Sequence, residues 1–252
     1  MKKIKKLVVG NWKMNPVSLG EAKVIASTVK RGLRNIKKTQ VVLCPPYVYL
    51  SGLSHMPTTT LFLGAQNAFH EPSGSYTGEI SFSQLHQFKT SFVIIGHSER
   101  RAVGETDEVI NKKVRSVIDE GMTAILCVGE KIHDVHGDYL ALVRQQIITG
   151  LRDVSKKMLD HVVIAYEPVW AIGAKDAMAP ADVHEMSIYI KKVLKDIFGV
   201  LADSIRVIYG GAVTEFNAKD IIADGFLHGF LVGRDSLKSK SFLEIIKVVE
   251  GK

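Results

Sequence analysis

The chain has 252 residues, 46% of them apolar and 23% charged, with a net charge of +7. That balance is ordinary for a globular protein and excludes a low-complexity or disordered chain. Its longest apolar runs, such as Ala124–Val128, fall far short of the ~18 residues that span a bilayer, so no membrane partner is expected.

The first residues, Met1 to Lys6, are basic, and only Leu7, Val8 and Val9 follow before Gly10. A secretory signal needs a longer apolar stretch, so the start reads as mature and the protein as cytoplasmic. The first β-like run is Leu7–Trp12. A helical pattern follows over Ser18–Arg34, with Ser18 as N-cap and Glu21 three residues later completing a capping box. Strands are predicted at Val41–Cys44 and Leu61–Ala65. The next stretch, Gln66–Ile80, is polar, long and glycine-rich, which predicts a protruding loop of functional use. Phe92–Ile95 is the fourth strand, and Thr106–Glu120 a helix stopped by Gly121. Thr123–Cys127 and Val162–Tyr166 follow. Pro180–Phe198 then has Pro at a helix start and Gly199 just past its end. Ile205–Tyr209 and Gly229–Leu231 complete eight runs, all β-branched or apolar, as strands covered on both faces should be.

Such alternation makes an α/β fold, either a doubly wound open sheet or a closed (β/α)₈ barrel. The count of eight favours the barrel, as a single domain over residues 1–252. Cys44 and Cys127 lie inside apolar runs and read as small core residues in a reducing compartment, not as a disulfide. No clustered His or Cys spacing suggests a metal. The positive excess, densest at Lys2–Lys6, reads as solvated surface, with no nucleic acid expected as a partner.

In parallel α/β folds ligands bind at the carboxyl ends of the strands. Those ends carry Asn11 and Lys13 after the first strand, His97 and Glu99 after the fourth, Glu167 after the sixth, Gly210 and Gly211 after the seventh, and Gly233 after the eighth. A carboxylate base, an imidazole, a fixed cation and glycines that admit an anion suit proton abstraction beside a carbonyl in a phosphorylated sugar. Each residue alone has a structural reading; their joint placement on one rim is what points to chemistry.

Gly10-Asn11-Trp12-Lys13-Met14-Asn15, Gly96-His97-Ser98-Glu99-Arg100-Arg101 and Tyr166-Glu167-Pro168-Val169-Trp170-Ala171-Ile172-Gly173 resemble the signatures of the triosephosphate isomerase family. Gly64-Ala65-Gln66-Asn67, Ser75-Tyr76-Thr77-Gly78-Glu79-Ile80, Cys127-Val128-Gly129-Glu130 and Tyr209-Gly210-Gly211 support them, in order from Val8 to about Leu237. The resemblance implies a TIM barrel that interconverts dihydroxyacetone phosphate and D-glyceraldehyde 3-phosphate, in glycolysis and gluconeogenesis, without a cofactor. Glu167 would be the base, His97 a neutral electrophile, Lys13 the stabilising cation, Asn11 an orienting group and Glu99 a support for Lys13. A glutamate base beside a neutral histidine is the known pattern of that family, and it is assigned to these residues on the resemblance alone. Asn11, Lys13, Gly173, Ala212, Gly233 and Arg234 would bind the substrate and its phosphate. A lid would run through Pro168, Val169, Trp170, Ala171, Ile172, Gly173, Ala174, Lys175, Asp176, Ala177 and Met178. Thr77, Gly78 and Glu79 would dock into a second copy, which implies a homodimer.

Four places depart from the family pattern. The lid reads Gly173-Ala174-Lys175-Asp176 where Gly-Thr-Gly-Lys is usual, and Ala212 stands where a serine is usual. Arg234 replaces a second glycine, and Arg101-Ala102-Val103-Gly104-Glu105 is one residue short. These changes leave open an alternative, a phosphate-binding barrel with another substrate or no catalysis.

Overall fold

The computed structural model describes residues 4–171, 178–223 and 226–251. Eight parallel strands close in sequence order into a barrel: β1 (Lys6–Asn11), β2 (Thr39–Cys44), β3 (Leu61–Ala65), β4 (Thr90–Ile95), β5 (Thr123–Val128), β6 (Val162–Tyr166), β7 (Arg206–Tyr209) and β8 (Gly229–Val232). Each predicted strand is present with its ends moved by no more than two residues. Trp12 lies just beyond β1, where its N–H still donates to the Cys44 carbonyl.

Helices cover the outside: α1 (Leu19–Gly32), α2 (Tyr47–Leu53), α3 (Phe82–His86), α4 (Ser98–Ala102), α5 (Asp107–Asp119), α6 (Asp138–Gly150), α7 (Pro180–Phe198), α8 (Ala218–Ile222) and α9 (Ser239–Glu250). In α1, Ala22, Ile25, Ala26 and Val29 are buried, the 3–4 spacing that turns one stripe to the sheet. The α-helix ends at Gly32, two residues before the predicted end, and a 3₁₀ turn over Leu33–Asn35 finishes it. Ser18 Oγ accepts from the Glu21 N–H, but the exposed Glu21 side chain makes no return bond, so the predicted box is half formed. A complete box closes at Ser81 and Gln84, at the start of α3. Pro180 opens α7, and Gly199 caps it at φ 60°. Between β3 and α3 the segment 66–80 protrudes as predicted and forms neither helix nor strand, apart from a bridge between Phe69 and Ser81.

The strands bury both faces. Leu7, Val9, Val42, Cys44, Ile94, Ile125, Cys127, Val163, Ala165, Ile208 and Leu231 fill the barrel, while Val8, Val41, Val93, Leu126, Ile164 and Val207 meet the helices. Both cysteines are free and sit in the inner core. Side chains alternate along a strand. The inward series of β1 (7, 9) therefore continues to Asn11, and that of β6 (163, 165) to Glu167, at the mouth of the barrel. The weakest seam is β7–β8, where Tyr209↔Phe230 is the single paired register. There the Val207 N–H donates to the His228 Nδ1 at 3.1 Å, while the His228 N–H donates to the Val207 carbonyl at 2.8 Å.

Candidate active site

At the carboxyl ends of the strands lies a cavity of about 540 Å³ whose lining includes Asn11, Lys13, His97, Glu167, Gly211 and Arg234. That volume suits a small molecule. Asn11, His97 and Glu167 are buried, with 2% of Glu167 exposed, so their polar atoms face each other and the cavity instead of bulk water.

Lys13 is held in an unusual backbone state, φ 53°, which costs a residue with a Cβ and persists only when its surroundings fix it. Here they do. The Lys13 N–H donates to Asn11 Oδ1 at 3.1 Å, and its carbonyl accepts from Gln66 Nε2 at 2.8 Å. The same Gln66 amide donates to the Cys44 carbonyl, tying three strand ends together. The Lys13 ammonium lies 2.6 Å from Glu99 Oε1. Partial burial pushes the Glu99 carboxyl up, but the Lys13 hydrogen bond and the Lys13 charge outweigh it and hold it below the usual carboxylate range.

His97 caps α4: its Nδ1 accepts the Glu99 N–H at 3.1 Å. With Nδ1 used as an acceptor, the proton of the neutral ring is assigned to Nε2. That nitrogen faces Glu167 Oε1 at 3.5 Å. The other carboxylate oxygen accepts from the Ser98 N–H at 3.4 Å. Both contacts are long, so the base is placed without being tightly bound. Arg101 anchors this loop, donating from Nε to the Gly96 carbonyl and from Nη2 to the Cys127 carbonyl, and pairing with Asp107. The loop that is one residue short turns at Gly104, φ 102°, and returns Glu105 beneath Arg100 and Lys113, each 2.7 Å or less from its Oε1.

Two glycines make room for Glu167. A Cβ at Gly129 would fall 1.9 Å from the Glu167 carbonyl oxygen, and one at Gly210 would fall 2.7 Å from its Cγ. The rims of the seventh and eighth loops are pinned from behind. Asn217 bridges the Ala212 carbonyl and the Thr214 N–H, and Ser236 Oγ donates to the Gly233 carbonyl at 2.6 Å. Ala212, Gly233 and Arg234 all line the cavity, as do Asp235 and Lys238, which pair at 3.0 Å. Of the predicted lid, Pro168 to Ala171 and Met178 are described; Ile172, Gly173, Ala174, Lys175, Asp176 and Ala177 lie outside the described residues. The entry to that segment rests on Glu130, fully buried, whose carboxylate accepts from Tyr166 Oη at 3.0 Å and from Trp170 Nε1 at 2.8 Å. The Val169 N–H donates to the Glu130 carbonyl at 2.9 Å. Thr77, Gly78 and Glu79 are exposed on the protruding loop.

Five predicted residues thus meet in one place: Asn11, Lys13, His97, Glu99 and Glu167. Sequence reasoning assigned no part to Ser98, Gln66, Asn217, Lys238 or Glu130. Glu130 was within reach, since it follows β5 as Glu167 follows β6, and the strand-end rule applies to it equally. Ser98 acts through its main chain and carries no side-chain signal.

The profile of the triosephosphate isomerase family matches residues 6–249 of the chain. Among its relatives, the triosephosphate isomerase of Roseiflexus sp. (strain RS-1) is 41% identical over 244 residues, covering 95% of this chain and 96% of that protein. The triosephosphate isomerase of Clostridium botulinum (strain Okra / Type B1) is 39% identical, covering 95% and 98%. That of Idiomarina loihiensis is 35% identical, covering 97% and 98%.

Proposed function

Because the chain belongs to the triosephosphate isomerase family, we propose that Glu167, His97, Lys13 and Asn11 are the groups that carry its reaction. The chain is an intramolecular aldose–ketose isomerase that interconverts dihydroxyacetone phosphate and D-glyceraldehyde 3-phosphate. Glu167 takes the proton from the carbon beside the carbonyl. The C–H electron pair forms the enediolate double bond, and negative charge develops on the carbonyl oxygen. His97 donates Nε2–H to that oxygen and recovers a proton from the neighbouring hydroxyl. Glu167 then returns its proton to the adjacent carbon. The Lys13 ammonium offsets the developing charge, and Asn11 holds the Lys13 backbone in its left-handed state.

The observation that carries this reading is the approach of Glu167 to His97 Nε2 in a cavity shared with Lys13. A substrate carbonyl must take the place at Nε2 that Glu167 now fills. The carboxylate therefore swings aside on binding. The phosphate sits against the N–H groups of Ala212, Gly233 and Arg234, which line the cavity; Gly173, outside the described residues, is assigned a phosphate role on the family resemblance alone. Ala212 gives a main-chain donor without a hydroxyl, a loss of about 0.5–1.5 kcal/mol of grip. Glu99 keeps Lys13 aimed.

We also read the enzyme as cytoplasmic and as a homodimer, joined through Thr77, Gly78 and Glu79. Among the described residues no helix is long and apolar enough to cross a membrane. Met14 and Val17 are about nine-tenths exposed near the site, an apolar surface of the kind a second copy covers. Sedimentation of purified protein should give twice the chain mass; a lone chain at tens of micromolar would refute the dimer. For the chemistry, Glu167→Asp and Glu167→Ala should lower kcat by roughly 10²–10⁴-fold with the fold intact. Variants that stay within tenfold of wild type would remove Glu167 from its role.

A further inference from the structure

A cluster of cations without carboxylate partners among the described residues lies at the opposite end of the barrel from Glu167. A cleft of about 690 Å³ opens there between the end of α1 and the loops leading into β1 and β3. Five cations line it: Lys5, Lys30, Arg31, Arg34 and Lys37, with no acidic residue among the lining. We propose that this cleft binds a compact polyphosphate anion, one carrying three or more negative charges, at a site separate from the active site.

The electrostatics point to a ligand of that charge. Several other cations of this protein are matched: Arg100 and Lys113 with Glu105, Arg101 with Asp107, Arg144 with Asp196, Lys195 with Asp203. Among the described residues none of the five in the cleft has a carboxylate partner; Arg31 alone has a side-chain bond, to Thr28 Oγ1 at 3.1 Å. The nearby carboxylate of Glu250 is turned inward, onto the Lys37 and Lys38 N–H groups and the Thr39 hydroxyl. Lys30 and Arg31 sit in the last turn of α1, where a helix favours cations. That preference answers to only about half an elementary charge, so it accounts for one cation and leaves the rest. Like charges gathered in a concavity repel each other and focus a field that a multivalent anion relieves.

The remaining lining fits such a ligand. Thr58 Oγ1 already accepts from the N–H groups of Thr60 and Leu61, which leaves its hydroxyl proton to donate outward. Exposed Thr59 offers a second hydroxyl. Arginines provide forked donors suited to phosphate oxygens. Leu33 and Ile36, both buried, form an apolar floor that offers no competing acceptor. No aromatic ring lines the cleft, so the stacking platform that single-stranded nucleic acid uses is missing. The volume is that of a small-molecule site and not of an extended groove.

Titration calorimetry of the full-length protein with tripolyphosphate, at low salt and in saturating dihydroxyacetone phosphate, tests this. The added triose phosphate fills the active site and removes it as a competing phosphate site. Binding should persist, weaken as salt rises, and fall at least tenfold in the double variant Lys30→Glu/Arg34→Glu. The milder Lys30→Gln/Arg34→Gln should weaken it in the same direction. Isomerase turnover should stay within twofold in both. Binding that the triose phosphate abolishes, or that both double variants retain, would overturn the site. So would no binding at millimolar tripolyphosphate. Tighter binding of a single-stranded oligonucleotide than of tripolyphosphate, lost in the same variants, would overturn the choice of ligand.

Discussion

At the carboxyl rim the inward alternation of β1 and β6 delivers Asn11 and Glu167 to an open cavity. At the amino rim the same alternation on β2 and β7 delivers Gln40 and Arg206 to each other. The contacts differ in kind. Arg206 Nη1 donates to Gln40 Oε1 at 2.7 Å, with its guanidinium over the Phe92 ring at 5.9 Å. Burial lowers the Arg206 pKa to about 10, so it stays charged at neutral pH and needs that partner. Glu167 instead holds two contacts of 3.4 and 3.5 Å, neither tight enough to keep it from a substrate. The Gln40–Arg206 pair is closed by a tight contact, and the carboxyl rim keeps Glu167 available. A barrel can afford reactive residues at one end because closure is secured at the other.

A matched pair of glycines breaks this comparison most directly. At the carboxyl rim, a Cβ on Gly129 would stand 1.9 Å from the Glu167 carbonyl oxygen; at the amino rim, one on Gly229 would stand 1.8 Å from the Leu7 carbonyl oxygen. Neither obstacle is a flexible side chain, so backbone must shift. Gly129→Ala displaces the base itself and should cut kcat by ~10²-fold or more, since small misplacements of reacting groups are that costly. Gly229→Ala, which also sits at φ 146°, pries β8 from β1 and should cost roughly 3 kcal/mol or more of stability. Its kcat per folded molecule should stay near wild type. Urea midpoints and kcat measured on both variants separate the two effects. Equal losses of both quantities in both variants would show that the two rims are not independent.

The strands were legible because each is a short β-branched or apolar run, bounded by polar segments of helical spacing. The helix ends were legible where Pro180, Gly121 and Gly199 impose a backbone geometry, and less so at Gly32, where a 3₁₀ turn prolongs the helical pattern. Inward and outward faces were not legible, because a strand covered on both sides has no polar face to mark its phase. The position of Gln40 opposite Arg206 follows from register across the barrel, which local sequence does not carry. At the site, side-chain identities were readable from the strand ends and the family signatures. The constraints on them were not. The grip of Gln66 on Lys13, the Ser98 N–H on Glu167 and the room left by Gly129 each depend on two distant segments meeting.

A smaller and graded effect is expected from pH, and it should arise at the amino rim. His228 substitutes its ring for a main-chain acceptor at the β7–β8 seam, where Val207 donates to its Nδ1. Burial, and then the neighbouring Lys191, Lys6 and Arg206 cations, push its pKa from 6.5 down to about 4. The unfolded imidazole takes its proton near 6.5 and the folded one only near 4, so between those values the unfolded state binds more protons. Stability is therefore full above about pH 7 and falls as pH drops toward 4, by as much as about 3 kcal/mol from this group. Protonation would also remove the acceptor that holds β7 to β8 at its thinnest point. His228→Asn keeps an acceptor for Val207 without a titrating ring. Urea midpoints compared between pH 7.5 and 4.5 should fall less steeply in His228→Asn than in wild type, while the isomerase pH profile, set at the other rim, stays unchanged. Parallel slopes would take the pH sensitivity away from this seam, and an altered activity profile would join the two ends that the structure keeps apart.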